Sequence, residues 1–176
     1  MRRPTAAVGS AVIFLVGPGS VAGLIPWVLT EGWQVRQPVP YWAPMRVLGV
    51  ILLVAGLIAL IQAYVRFVME GFGTPAVIAA PERLVVGGLY SYVRNPMMLA
   101  MLAAIVGQAL LLGRLCLLLY AAAFWIITAA FVRWYEEPTL SRRFGADYEV
   151  YRCAVPAWWP PLRPWKPSER VEPGAG

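Results

Sequence analysis

The sequence predicts an all-α polytopic membrane protein, with about four transmembrane helices followed by a C-terminal amphipathic helix on the membrane surface. Of its 176 residues, 60% are hydrophobic and 14% are charged, whereas about a quarter of the residues in a soluble domain are charged. The apolar residues form segments long enough to cross a bilayer, separated by short stretches rich in Pro, Gly and Arg. Because no linker or repeat divides the chain, residues 1–176 are predicted to form one membrane domain.

The first two predicted spans cover about residues 6–30 and 45–68. The first also resembles a signal peptide, but it is longer than the hydrophobic region of one, and it reaches Trp27 at a plausible membrane interface. Gly17-Pro18-Gly19 lies near its middle, and we expect a kink there because Pro lacks the backbone donor of a regular helix. The second span offers small residues for close helix contact: Gly49, Ala55 and Gly56.

The third and fourth predicted spans, about residues 96–112 and 115–134, form a hairpin around Gly113-Arg114. Asn95 is a suitable N-cap for the third span, and Pro96 is a suitable first helical residue. At 1.5 Å per residue the third span reaches only about 25 Å, which is short for a hydrocarbon core of about 30 Å. Its polar N-terminus is therefore expected slightly inside the bilayer, covered by protein.

The predicted surface helix begins at Pro138, because Pro disfavours helical geometry in the preceding residue and is a good first helical residue. Further along this helix, four apolar or aromatic residues share one face: Leu140, Phe144, Tyr148 and Tyr151. We expect this face to lie on the membrane surface or against the bundle.

Basic residues set the predicted orientation. With both termini in the cytoplasm, twelve of the fifteen Lys and Arg residues lie inside, and only Arg36, Arg46 and Arg114 lie outside. The excess of Arg over Lys and the lack of a eukaryotic targeting signal favour a bacterial inner membrane. The net charge of +6 is assigned to topology and to contact with anionic membrane lipids. No nucleic-acid partner is predicted, since no basic face interleaved with aromatic residues lies outside the membrane flanks.

Two features of the composition limit the catalytic groups, metal sites and disulfides that this chain can form. The sequence contains no His, so the commonest general base is missing and no metal site is predicted. Cys116 lies inside a predicted span and Cys153 lies beyond its far end. A disulfide between them is therefore not expected.

Polar residues cluster in two predicted cytoplasmic places. The stretch from Glu82 to Leu99 contains Arg94 at the start of the third span, where free backbone N–H groups and the helix dipole suit a carboxylate or phosphate. Glu136 and Glu137 end the fourth span and suit ribose hydroxyls, an amine or a sulfonium. A ligand with both kinds of group is expected to bind between the clusters, within aromatic walls: Tyr90, Tyr92, Trp134 and Tyr135.

Each of these residues also has an ordinary structural interpretation. Arg94 is in the right place for a positive-inside flank, and the tyrosines and tryptophan for an aromatic belt. Arg133 and Glu137 have the i, i+4 spacing of a common helix pair. The residues taken one at a time therefore leave both interpretations open.

Two longer motifs resemble those of a known family. Residues 88–97 read GLYSYVRNPM, and about forty residues later the chain reads YEEPTL at 135–140 and FGADYEVY at 144–151. Together they resemble the isoprenylcysteine carboxyl methyltransferase and phospholipid methyltransferase superfamily, whose signature is Arg-His-Pro followed by a distant Glu-Glu. The resemblance covers roughly residues 81–160.

This resemblance implies an integral membrane enzyme, a methyltransferase that uses S-adenosylmethionine. It places the cofactor pocket in residues 81–160 on the cytoplasmic side, with a lipophilic small-molecule or lipid acceptor, a carboxylate, thiol or amine, entering from the bilayer. Carried over by motif position, the implied catalytic residues are Arg94, Asn95 and Glu137. The implied cofactor-binding residues are Tyr90, Arg94, Asn95, Pro96, Glu136, Glu137, Tyr148 and Tyr151, with Arg152 a further candidate.

Asn95 stands where the family signature most often has His. Asn donates and accepts hydrogen bonds but does not titrate, so Glu136 or Glu137 becomes the candidate base for an acceptor that must lose a proton. Two other functions remain open. One is an NADPH-dependent membrane reductase of the sterol-reductase type, whose C-terminal hairpin looks similar. The other is a non-catalytic lipid-binding or scaffold membrane protein, which Asn95 favours.

Overall fold

The computed structural model describes residues 16–36, 42–71 and 84–166 of the chain. All regular structure within these ranges is helical, which confirms the all-α prediction for the described residues. The helices are numbered here in chain order: α1 Val16–Leu29, α2 Ala43–Gly71, α3 Pro96–Leu112, α4 Leu115–Phe131, α5 Glu137–Phe144 and α6 Ala146–Ala154. A short 3-10 turn, Gly88–Ser91, precedes α3.

Within the described ranges, two segments are long and apolar enough to cross a membrane: Ala43–Met69 and Leu115–Phe144. Only 22% of each apolar window is buried, so most of its apolar side chains face outward, as lipid-facing side chains do and those of a soluble core do not. Val16–Leu29 and Pro96–Leu112 are apolar but shorter. The prediction of about four transmembrane helices is therefore wrong in number for the described residues, although the first ten residues of the first predicted span lie outside them.

Helices α2 and α3 approach each other closely at glycines. A Cβ atom on Gly107 would lie 2.6 Å from the Leu53 backbone nitrogen, and one on Gly49 would lie 2.7 Å from the Gly107 carbonyl oxygen. Gly56 is equally close to the Ala100 carbonyl oxygen, at 2.8 Å. The structure thus confirms Gly49 and Gly56 as contact residues. Ala55 was predicted as a third contact residue, and this prediction is wrong because Ala55 lies on the exposed side of α2.

The predicted break at Pro138 is absent, because α4 continues into α5 through a π turn, Val132–Glu136. A wider turn at this point is the expected response to Pro138, which has no N–H for the carbonyl four residues earlier. The chain breaks instead at Gly145, where φ is +53°. The predicted apolar stripe is therefore divided between α5 and α6, yet its members still pack in one cluster around Tyr148, Tyr151 and Val155.

The end of the bundle away from the two polar clusters is closed by hydrogen bonds to helix-terminal carbonyls. Arg114, predicted only as an outside charge, is buried and donates to the Thr30 carbonyl at 2.7 Å and to the Gln34 carbonyl at 3.1 Å. The Trp42 indole donates to the Leu110 carbonyl at 2.7 Å. Carbonyls at a helix end lack partners within the helix, so these side chains stabilise the ends of α1 and α3.

Candidate functional site

The chain enters α3 through the 3-10 turn and Asn95. The helix begins at Pro96 with Asn95 in the N-cap position, as predicted. The Asn95 side chain makes no cap hydrogen bond. Its Nδ2 instead donates to the Ala157 carbonyl at 3.2 Å, so this side chain is turned away from the helix and toward the C-terminal segment.

Residues 155–165 form a C-terminal strap that covers the loop before α3. Backbone groups join them at two points: the Arg94 N–H donates to the Pro156 carbonyl at 3.0 Å, and the Trp165 N–H donates to the Ser91 carbonyl at 2.9 Å. From α6, just before the strap, the Tyr151 hydroxyl donates to the Tyr90 carbonyl at 2.7 Å. Two parts of the chain that are about sixty residues apart are thereby held as one unit.

Arg94 and Glu137 form a direct ion pair at this end of the bundle. Arg94 Nη1 lies 2.7 Å from Glu137 Oε1, and the two side chains are 12% and 10% exposed. Arg94 Nη1 also donates to the Tyr148 hydroxyl at 3.0 Å, while Arg133 Nη1 lies 3.4 Å from the other Glu137 oxygen. Arg94 and Glu137 therefore contact each other directly, and the ligand expected between the two polar clusters stays a prediction.

A cavity of about 660 Å³ opens beside this ion pair. All the residues assigned to cofactor binding by the resemblance line it: Tyr90, Arg94, Asn95, Pro96, Glu136, Glu137, Tyr148 and Tyr151. Tyr135 and Arg143 also line it, whereas Tyr92, Trp134 and Arg152 do not. Trp134 is 79% exposed, so its predicted place in the pocket wall is wrong.

Beyond the ion pair the cavity is apolar. Side chains from four helices form this part: Val21 of α1, Phe67 of α2, Met97, Met98 and Met101 of α3, and Phe124, Thr128 and Phe131 of α4. Sequence reasoning missed them, although Phe131, Thr128 and Phe124 lie four, seven and eleven residues before Tyr135 and so on the same face of α4. Composition did not reveal them, because lipid contact accounts equally well for apolar residues in a span.

Two polar groups at the charged end are left for a ligand. Arg94 Nε is buried and has no hydrogen-bond partner in the described part of the chain. The Glu136 carboxylate lies near Arg94 and Glu137 and forms no hydrogen bond or ion pair with a described residue. A buried donor without an acceptor is costly, so an anionic group beside Arg94 and a donor beside Glu136 would complete this end.

The tyrosine hydroxyls at this end stay protonated at neutral pH. Burial raises the pKa of Tyr148 above its ordinary value, and the Arg94 guanidinium opposes that shift without reversing it. Burial also raises the pKa of Tyr151. Tyr148 accepts from Arg94 and keeps its own proton to donate. Among the described residues, no group of three or more His, Cys, Asp or Glu side chains is placed to hold a metal ion.

A helical membrane protein is thus defined, with one cavity that is charged at one end and apolar beyond it. The chain belongs to the phospholipid methyltransferase family, whose family profile matches residues 44–147. The match runs from α2 into α6 and includes the ion pair, which confirms the superfamily that the motifs resemble. Among curated proteins and solved structures, none gives a significant match to this chain.

Proposed function

We propose that this protein is an integral membrane methyltransferase that uses S-adenosylmethionine to methylate a lipophilic acceptor entering from the bilayer. One observation supports this most strongly: in a chain of the phospholipid methyltransferase family, the motif residues and a set of apolar side chains line the same cavity. Its volume falls within the range of about 300–1,000 Å³ that is typical of ligand pockets. A charged end and an apolar remainder match a polar cofactor and a lipophilic acceptor.

The residues at the charged end fit S-adenosylmethionine. Arg94 Nε needs an acceptor, and a carboxylate supplies one in the form that Arg binds best. Glu136 has an unused carboxylate for ribose hydroxyls or an amine. Glu137 holds Arg94 in place through their 2.7 Å contact. We therefore assign Arg94 and Glu136 to direct cofactor contact and Glu137 to the orientation of Arg94.

Bound S-adenosylmethionine supplies an activated methyl group: the acceptor's lone pair bonds to its carbon as the carbon–sulfur bond breaks toward sulfur, leaving S-adenosylhomocysteine. The protein's part is to align the acceptor, which can contribute much of the rate, and to exclude water with its apolar walls. Asn95 does not take the proton, because it cannot titrate and its Nδ2 is bound to Ala157. For a thiol or ammonium acceptor, Glu136 is the candidate base, whereas a carboxylate acceptor has no proton to lose.

Thermal unfolding in detergent distinguishes this function from its rivals. S-adenosylhomocysteine should raise the melting temperature, and NADPH should not. Stabilisation by NADPH alone would indicate a reductase, and stabilisation by neither would indicate a scaffold. Glu136→Gln should weaken S-adenosylhomocysteine binding by about tenfold to a hundredfold, the worth of a hydrogen bond to a charged group. The matched control is Glu31→Gln, an exposed glutamate at the opposite end of the bundle, which should bind normally.

We also propose that the charged end faces the cytoplasm of a bacterial cell, as the distribution of Arg residues predicts. The native cysteines test this, because both are free and Cys153 is exposed near that end. In a Cys116→Ser variant, a membrane-impermeant maleimide should label Cys153 only after the inner membrane is opened. Labelling of intact spheroplasts would reverse the assigned orientation.

A further inference from the structure

We propose that α1 forms the floor of the apolar part of the cavity, and that Gln108 and Tyr120 hold this floor in place, so that these residues limit the length of the acceptor's apolar chain. The floor consists of Gly17, Pro18 and Val21, which line the cavity. This inference rests on the proposed function for the identity of the chain as an acceptor. The position of the floor itself is independent of the reaction.

The cavity extends far enough from the charged end to hold an alkyl chain. Along the helical path from Glu136 to Phe124 it is lined by side chains one turn apart, and these twelve steps correspond to about 18 Å at 1.5 Å per residue. At its far end Val21, Phe124 and Met101 pack in one cluster around Leu60 and Ala100. Leu60 and Ala100 belong to this cluster but do not line the cavity, so packed protein lies behind the lining there, and Val21 is the contribution from α1.

The backbone of α1 departs from regular helix at the floor. Gly17-Pro18-Gly19 is followed at once by a π turn, Ser20–Leu24. Two side chains from two other helices bind successive carbonyls of this turn. Gln108 Nε2 of α3 donates to the Ala22 carbonyl at 2.8 Å, and the Tyr120 hydroxyl of α4 donates to the Val21 carbonyl at 2.9 Å. These two hydrogen bonds fix the position of Val21 along the axes of α3 and α4.

Neither of these polar side chains has another role in the cavity. Gln108 and Tyr120 do not line it. Gln108 is buried in an apolar helix, and its Oε1 has no hydrogen-bond partner in the described part of the chain. Polar side chains among membrane helices are costly and usually mark a function. Here the Gln108 contact is to the segment that ends the cavity, so Gln108 and Tyr120 are positioning residues for the floor.

A fixed floor selects chain length by two opposing effects. A chain that stops short of the floor leaves part of the cavity unfilled, and the walls there lose the packing contacts that a longer chain would make. A chain that is too long meets a close-packed cluster that does not yield easily. Transfer rates along a homologous series should therefore rise and then fall sharply at one length.

Substitutions at Val21 should move that length. The test uses labelled S-adenosylmethionine and n-alkyl amines, thiols and carboxylic acids, from hexyl to hexadecyl, in lipid nanodiscs. Val21→Ala should shift the optimum to longer chains, and Val21→Phe should shift it to shorter ones. Relative to the parent optimum, the rate for the next longer chain should rise in Val21→Ala, and the rate for the next shorter chain should rise in Val21→Phe. An unchanged profile in both variants would overturn the inference.

Substitutions that remove the two hydrogen bonds should make the upper limit on the acceptor's chain length less sharp. In Gln108→Leu and Tyr120→Phe, rates for chains just beyond the cut-off should rise relative to those at the optimum. This ratio within one variant is insensitive to the amount of folded protein. Gln62→Leu is the matched control, since Gln62 is exposed on α2, and its profile should equal that of the parent protein. A sharp cut-off at the parent length in both test variants would refute the role of Gln108 and Tyr120.

A photochemical measurement locates the floor without relying on catalysis. An n-alkyl amine of optimum length, or of dodecyl length if none reacts, carries a diazirine at the end of its chain. The crosslink should fall on α1 residues near Val21, and in Gln108→Leu it should spread to other segments. Labelling that bypasses α1 in the parent protein would refute the floor even if methyl transfer is found. If no methyl transfer and no S-adenosylhomocysteine binding are found but α1 is labelled, the proposed function fails while the floor stands.

Discussion

Arg94→Met or Glu137→Met alone should destabilise the protein by about 3–5 kcal/mol, whereas the double substitution should recover most of that loss. Each single change leaves one buried charge without its partner, and this is the costly case for a buried ion pair. Replacing both charges with apolar side chains of similar size is often nearly neutral. Both side chains are close to nine-tenths buried and only 2.7 Å apart. Equilibrium unfolding in detergent would measure the three variants.

The double variant also separates folding from binding. It should be stable but should lose S-adenosylhomocysteine binding, because Arg94, the proposed partner of the cofactor carboxylate, is gone. Arg152→Met is the matched control: Arg152 pairs with Glu149 at 3.4 Å, but the two side chains are 39% and 46% exposed, so the change should cost less than about 1 kcal/mol. A double variant that binds the ligand normally would contradict the assignment of this end to the cofactor. A double variant as unstable as the singles would contradict the pairing argument.

Gly107→Ala should destabilise the protein by about 1–3 kcal/mol or more, the usual cost of overpacking. The added Cβ would meet backbone atoms of α2 at 2.6 Å and 2.8 Å, and no side-chain rotation moves a Cβ atom. The helices must therefore separate, which also widens the contact that Gly49 and Gly56 make with α3. Thermal unfolding in detergent would detect the loss.

Gly23→Ala is the control for this prediction. A Cβ at Gly23 meets nothing within 4 Å among the described residues, so the same chemical change should leave the melting temperature equal or slightly higher, because Ala is the better helix former. Equal stability of the Gly107 and Gly23 variants would show that α2 and α3 do not depend on the close contact.

The structure gives the Asn95 side chain a contact that the resemblance did not imply. Its position at the start of α3 was predicted from capping preferences, and that position is confirmed. Its side chain joins the helix start to the C-terminal strap at Ala157. Asn95 also lines the cavity, so a side chain that ties these two segments together contributes to the shape of the cavity.

Much of the fold was predictable from short stretches of the sequence. The apolar periods predicted helices, Pro96 and Gly113 marked the ends of α3, and the stripe from Leu140 to Tyr151 predicted a packed face. The two motifs led to the family that the profile match shows. These features depend on residues close together in the chain or on spacing along one helix, so the sequence expresses them directly.

Only the tertiary structure decided which residues meet. The sequence predicted that Arg94 and Glu137 lie near each other, and the structure shows in addition that they form a direct ion pair. It also showed that the helix passes Pro138 through a π turn and that Gln108 and Tyr120 donate hydrogen bonds to the backbone of α1. The physical reason is the same in each case. Apolar side chains facing lipid and those facing a cavity have the same composition, and the partner of a polar group depends on distances between helices, which no local pattern encodes.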